Sequence, residues 1–301
     1  MEERFTVGEL TSPKKVREIL SRYHFKTRKS LGQNFLVDNN IISKIVSAAE
    51  ITDQDLVVEI GPGLGVLTSA LAQRAQKVVA LELDNKLIPI LEETLASHKN
   101  IEVVPADAME VNFDQLVHEK TRGSFGGGAK GYKVVANLPY YITTPLIMHM
   151  LTNNFNINSM VLMMQREVAR RLAAAPGNKD YGSLTVAVQY YTEASLAFGV
   201  PRTVFYPQPE VDSAVVKLTK RKSPAVEVVD QELFFKVVRA AFGKRRKTIL
   251  NALSSSNIGA TKEQVDLLLG QSGIDPKRRG ETLTLEEFAL LSNNFYTMGI
   301  F

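Results

Sequence analysis

The stretch VVEIGPGLGVLTSAL, residues 57–71, decides the fold. Its apolar run Val57 to Ile60 passes through Gly61, Gly63 and Gly65 into Leu67 to Arg74, where the apolar spacing turns helical. A strand that enters a helix through glycines is the opening unit of a wound α/β sheet. Glycine allows the sharp turn without a Cβ clash and lets the backbone approach a ligand closely.

Working outward, short apolar runs alternate with longer amphipathic segments from residue 57 to 164, the pattern of a parallel sheet with helices between its strands. The predicted strands are Val57–Ile60, Val78–Leu83, Ile101–Val104, Val134–Ala136 and Met160–Met164, with two more at Ser195–Val200 and Ala214–Leu218. Predicted helices include Leu67–Arg74 and Lys86–Ser97. The segment Arg221 to Pro224 reads as a linker. Beyond it Glu232–Leu253, Lys262–Gly270 and Leu285–Asn293 carry helical periodicity alone, so the expected division is a sheet domain over 1–222 and a helical domain over 223–301.

Composition narrows the chemistry. The chain has 301 residues, 45% hydrophobic and 23% charged, ordinary values for a globular protein of two domains. It has no cysteine, which excludes disulfides, thiolate catalysis and cysteine-held zinc. The four histidines, His24, His98, His118 and His149, lack the i, i+4 spacing of a helical metal site, so no metal is expected. The N-terminus has no apolar leader and no run is long enough to span a bilayer, so a cytoplasmic location away from membranes is expected.

The net charge of +4 is mild, but the basic residues cluster. Seven Lys or Arg fall between Ser12 and Ser30 (Lys14, Lys15, Arg17, Arg22, Lys26, Arg28, Lys29) against the single acid Glu18. Six fall between Lys236 and Asn251, Arg245, Arg246 and Lys247 among them, with no acid. Such patches suit a phosphate backbone, and equally a solvated helix face. The glycine-rich stretch 123–131 lacks P-loop spacing and reads as a surface connection.

Three acids accompany the glycine turn. Glu59 precedes it, Glu82 ends the second strand where a carboxylate can accept from both hydroxyls of a ribose, and Asp107 follows the third strand where it can accept from an adenine amine. The glycines run G-x-G-x-G and not G-x-G-x-x-G, which weakens a dinucleotide reading without eliminating it. S-adenosylmethionine fits the series better. A capping or loop carboxylate accounts for Asp107 equally well.

The fourth strand delivers NLPYY, residues 137–141, to the sheet edge where open α/β folds bind ligands. If the acceptor is the exocyclic amine of adenine, its lone pair is delocalised into the ring and it is a poor nucleophile. Two acceptors that hold both N–H bonds free that lone pair. The Asn137 side-chain oxygen and the Leu138 carbonyl can do so, with Pro139 stiffening the turn and Tyr140 stacking on the base. An Asn-capped turn before the helix TTPLIMHML would use the same residues.

LGQNFLVDNN (31–40), EIGPGLG (59–65), ELD (82–84), DAM (107–109), NLPYYITTPLI (137–147), MMQREVARRL (163–172), FYPQPEVDSAVV (205–216) and RRKTILNAL (245–253) together resemble the KsgA/RsmA family of rRNA adenine N6,N6-dimethyltransferases. The resemblance runs from Leu31 nearly to the end. The first dozen residues and the glycine-rich insert stand outside it.

The resemblance implies an α/β Rossmann-like, seven-stranded class I methyltransferase domain followed by a smaller all-helical RNA-binding domain. It implies that Gln33, Asn34, Leu36, Gly61, Gly63, Glu82, Asp107 and Asn137 hold S-adenosylmethionine. Asn137, Leu138, Pro139 and Tyr140 would grip the target amine, with Phe205 a second aromatic wall, and Arg245, Arg246 and Lys247 would contact RNA. The implied substrate is a pair of adjacent adenosines near the 3′ end of 16S rRNA in a small-subunit precursor, each methylated twice by a monomer. Two alternatives share these features. One is the antibiotic-resistance enzyme of large-subunit rRNA, whose motif more often reads NIPY; the other is an assembly factor that binds more than it catalyses.

Overall fold

The computed structural model describes residues 7–28, 31–123 and 130–300. Lys29 of the first basic cluster and most of the glycine-rich stretch, 124–129, lie outside the described residues. The chain divides into two compact units, one comprising residues 1–169 and 195–220, the other 170–194 and 221–301.

The described residues form nine strands, all in the first unit save the first three residues of the seventh: β1 (Phe35–Leu36), β2 (Leu56–Ile60), β3 (Lys77–Glu82), β4 (Ile101–Pro105), β5 (Tyr132–Asn137), β6 (Ile157–Gln165), β7 (Thr192–Val200), β8 (Phe205–Tyr206) and β9 (Ser213–Lys220). Seven make one sheet in the order β4-β3-β2-β5-β6-β9-β7. β2 to β6 pair in parallel, while β9 runs antiparallel to β6, so the sheet is mixed where the sequence pattern implies a parallel one. Periodicity reports burial and is blind to strand direction.

All five residues of β2 are buried, as in a strand covered on both faces. Val57, Val78, Val135, Val161 and Val215 carry a core against Ile42 and Ile45 of the helix Asn39–Ala48 and Leu71 of the helix Val66–Ala72. The chain passes from β2 through β3 to β4 on one side and then returns to β5 on the other. That reversal between β2 and β5 opens a crevice at the carboxyl edge, the usual ligand position in this architecture.

The second unit is helical. Tyr181, Val186 and Tyr190 share a buried cluster with Phe234, Val237, Leu268, Phe288 and Phe295. This is why residues 170–194 belong with the C-terminal helices, although the composition change at Arg221 marks only the later boundary. Glu232–Leu253, which reads as one helix, is two: Gln231–Phe242 and Ile249–Ser254. Between them come Gly243 and four consecutive cations, whose mutual repulsion and the glycine's lost backbone entropy disfavour a continuing helix. Thr248 then caps the second piece by accepting from the Asn251 N–H. No helix among the described residues is long and apolar enough to cross a membrane.

Candidate functional site

One cleft of the first unit is lined by Gln33, Asn34, Leu36, Gly61, Gly63, Glu82, Asp107, Asn137, Leu138, Pro139, Tyr140 and Phe205. Every residue singled out for cofactor or target amine therefore borders one cavity. The ends of β4, β3, β2 and β5, neighbours in the sheet, bring Asp107, Glu82, Gly61 and Asn137 to a common edge. Arg245, Arg246 and Lys247 lie elsewhere, exposed in the turn between two helices of the second unit.

The glycine turn needs its glycines. Gly63 has φ +60° and a Cβ there would come within 3.1 Å of the Phe35 ring; Gly65 has φ +81° and its Cβ would meet Leu95 at 2.8 Å. The turn sits against two acids. Glu59 is 1% exposed and its Oε2 has no hydrogen-bond partner. Burial, with the neighbouring Glu82 charge adding to it, pushes its carboxyl up to about 8. Glu82, also buried, is pushed up to about 7, although it accepts the Asp84 N–H at 2.8 Å and further backbone N–H groups favour its charged form. The Thr68 hydroxyl, itself buried, acts on Glu59 and favours its charged form without offsetting burial, and Glu59 borders the cleft at the glycine turn.

Asn137 is oriented by its own bonds. Its Nδ2 donates to the Asn34 carbonyl at 3.3 Å, which assigns the opposite end of the amide, Oδ1, as the acceptor available to a ligand. Pro139 follows with its carbonyl held by the Thr143 hydroxyl at 3.0 Å, and the Tyr140 hydroxyl meets Ser213 Oγ at 2.9 Å, pinning the ring. Leu138 N–H donates to Met163 O, so the turn stays tied to β6. Phe205 in β8 pairs with Leu36 in β1, an antiparallel ladder of two residues that closes one wall.

Two predicted residues are partly committed within the protein. Gln33 accepts from the Arg28 N–H and donates to Asp84, so its amide links Arg28 to the residue two past the end of β3. Asp107 accepts the Met109 N–H through Oδ1, the loop-carboxylate role, while also bordering the cleft. Leu31, Leu83 and Tyr141 line the cleft as well, and sequence reasoning passed over them. Leu83 is 46% and Tyr141 52% exposed, so neither is held in the core; the doubled tyrosine in NLPYY was the available signal for the second.

Residues 24–295 match the family described as ribosomal RNA adenine dimethylase. The chain is 56% identical over 290 residues to the ribosomal RNA small subunit methyltransferase A of Pelotomaculum thermopropionicum, covering 96% of this chain and 98% of that one. It is 54% identical over 287 residues to the protein of the same name from a Geobacillus strain, covering 95% and 97%. Among solved structures it resembles a dimethyladenosine transferase from Plasmodium falciparum (TM-score 0.73, 28% identity, 88% of this chain and 98% of that one). The 23S rRNA methyltransferase ErmE follows at TM-score 0.66 and 29% identity, over 87% and 99%. Sequence, cleft and neighbours agree: the chain belongs to the ribosomal RNA adenine dimethylase family.

Proposed function

We propose that the protein transfers methyl groups from S-adenosylmethionine to N6 of two adjacent adenosines near the 3′ end of 16S rRNA, dimethylating each, on a precursor of the small ribosomal subunit. The observation that carries this reading is the Asn137–Tyr140 turn bordering the same cleft as Gly61, Gly63, Glu82 and Asp107. The cofactor is supported by the fit of the residues present. Gly61 and Gly63 present no side chain to a ligand at the turn, and Glu82 offers a buried carboxylate for ribose hydroxyls. Asp107 offers an acceptor for an adenine amine. When bound, S-adenosylmethionine supplies an electrophilic methyl carbon.

The chain's own residues act on the acceptor. Asn137 Oδ1 and the Leu138 carbonyl take the two N–H bonds of the amine, drawing the nitrogen toward tetrahedral geometry and localising its lone pair. Tyr140, pinned on Ser213, and Phe205 supply faces on which an unstacked base can rest, offsetting a flipping cost of a few kcal/mol. Catalysis is then positioning, with no general base acting on the neutral amine. The proton lost after transfer leaves a nitrogen already made acidic by its new charge.

The 56% identity to a small-subunit enzyme favours that subunit over the large one, for which ErmE stands at 29%. The protein works in the cytoplasm as a monomer in this reading. The test is incubation with labelled S-adenosylmethionine and immature small subunits, large subunits or naked rRNA, followed by mapping of the labelled base. Label on two neighbouring adenosines of the small-subunit RNA is expected; label on large-subunit RNA, or none, refutes the assignment.

A further inference from the structure

A second groove of about 410 Å³ lies in the first unit, within the range of roughly 300–1,000 Å³ typical of ligand clefts. It runs between the C-terminal end of the helix Pro13–Arg22 and strand β8, and Arg17, Ser21, Phe25, Lys26, Thr27 and Tyr206 border it. The helix turns Val16, Ile19 and Leu20 into the core, which leaves Arg17 and Ser21, four residues apart, on one outward face. Arg17 is anchored along that face by its Nε donating to the Pro13 carbonyl at 3.2 Å. No carboxylate stands among the bordering residues. The groove therefore combines two cations, the Ser21 and Thr27 hydroxyls and the half-buried Tyr206 ring, with Phe25 buried beneath, a composition that tracks a sugar-phosphate backbone and stacks a base.

Its position ties it to the cleft. Phe205 and Tyr206 are consecutive in β8, and consecutive strand residues point to opposite faces, so Phe205 borders the cleft while Tyr206 borders the groove. Tyr206 pairs with Phe35 in β1, Phe35 lies 6.3 Å from the Phe25 ring of the groove, and Phe35 is also the ring that Gly63 must clear. One thin two-stranded wall thus separates the two sites.

We propose that this groove holds a nucleotide flanking the target adenine, stacked against Tyr206 over the buried Phe25, with Arg17 and Lys26 on its phosphates, so that the RNA strand straddles β8. This rests on the reading of the cleft as the site of rRNA adenine methylation. Tyr206, Arg17 and Lys26 are then positioning residues for RNA and touch neither cofactor nor reacting nitrogen.

The experiment has two arms on the full-length protein. In the first, 4-thiouridine is placed on either side of the methylated base in rRNA assembled into small subunits, and irradiation cross-links are mapped on the wild-type protein; attachment at Phe25 or Tyr206, or within residues 17–27, is expected. In the second, Tyr206→Ala and the surface pair Arg17→Glu/Lys26→Glu should each raise KM for the subunit about tenfold, the worth of one stacked base, with kcat and cofactor affinity within about twofold. Tyr206→Phe should restore KM, because stacking needs the ring and not the hydroxyl. If Tyr206→Ala misfolds, the surface pair carries this arm alone. Cross-links mapping only elsewhere, or an unaltered KM in the variants while methylation proceeds, overturn the groove and leave the cleft reading standing. A wild-type protein that methylates no rRNA overturns both.

Discussion

Asn137 donates through Nδ2 to the Asn34 carbonyl, and that single bond determines which end of the amide can accept from a substrate amine. Asn137→Ala removes one of two acceptors and should lower kcat by about a hundredfold or more, the scale of deleting one fixed polar partner of a transition state. Cofactor affinity by calorimetry should change little, and near-normal turnover would refute the amine-holding role. Glu82→Ala removes hydrogen bonds to a charged acceptor and should weaken cofactor binding by about 1.5–3 kcal/mol. The acids also make a pH prediction. Burial raises Glu59 to about 8 and Glu82 to about 7, above the ordinary carboxylate range of the unfolded chain, so the folded state holds protons that the unfolded state releases. Both states are protonated at low pH, so stability is lost as pH rises from the ordinary carboxylate range near 4.5 to about 7 to 8, where the folded acids ionise as well. The ligand-free Tm should fall over that interval by an amount that Glu59→Gln reduces. Cofactor affinity should move the other way, rising through about pH 7 as Glu82 becomes the carboxylate that ribose hydroxyls require; a flat binding profile would remove Glu82 from the ribose.

At the scale of elements, the turn from β2 into the helix Val66–Ala72 is held by backbone conformation more than by side chains. Gly61 has φ +71° and open space around a hypothetical Cβ, the nearest atom being Asn137 O at 3.9 Å, whereas Gly65 would drive its Cβ into Leu95. Gly61→Ala should therefore cost only the left-handed strain, roughly 1–2 kcal/mol, and Gly65→Ala measurably more by chemical denaturation. Equal losses would mean Leu95 yields freely. The same elements show what a sequence can reveal. The central strands were legible because strands buried on both faces read as apolar runs, whereas the edge strands β4 and β7, partly exposed, were legible only by their β-branched and apolar composition. The ladder of β1 and β8 was not, since two residues have no period, yet it supplies the wall carrying Phe205. The chemistry-bearing cleft residues were legible because Asn, Glu and Gly at strand ends have few structural reasons to be there. Leu83 and Tyr141 carry no such chemical signature, and only their exposure at the cleft gives them away. Tyr181, Val186 and Tyr190 look buried in any reading, but spacing cannot say which core receives them.

For the whole molecule, the net charge of +4 understates the potential an RNA would meet, because the cations are gathered. In the second unit the run from Lys244 to Lys247 is exposed between two helices, and Arg245 donates to the Lys179 carbonyl at 3.1 Å, a contact that steadies the turn without neutralising it. A solvated surface and an RNA contact make different demands on salt. Counterions released from phosphates give log K a linear fall with log salt concentration, about 0.7 per neutralised phosphate on single strands. Converting Arg245, Arg246 and Lys247 to Glu should weaken subunit binding and flatten that slope by up to about 2 if all three meet phosphates. Cofactor affinity should hold, since none of the three borders the cleft. Binding measured from low to moderate salt decides the matter: a slope equal to that of the wild type would make the turn ordinary solvated surface and leave the RNA to be gripped through other cations.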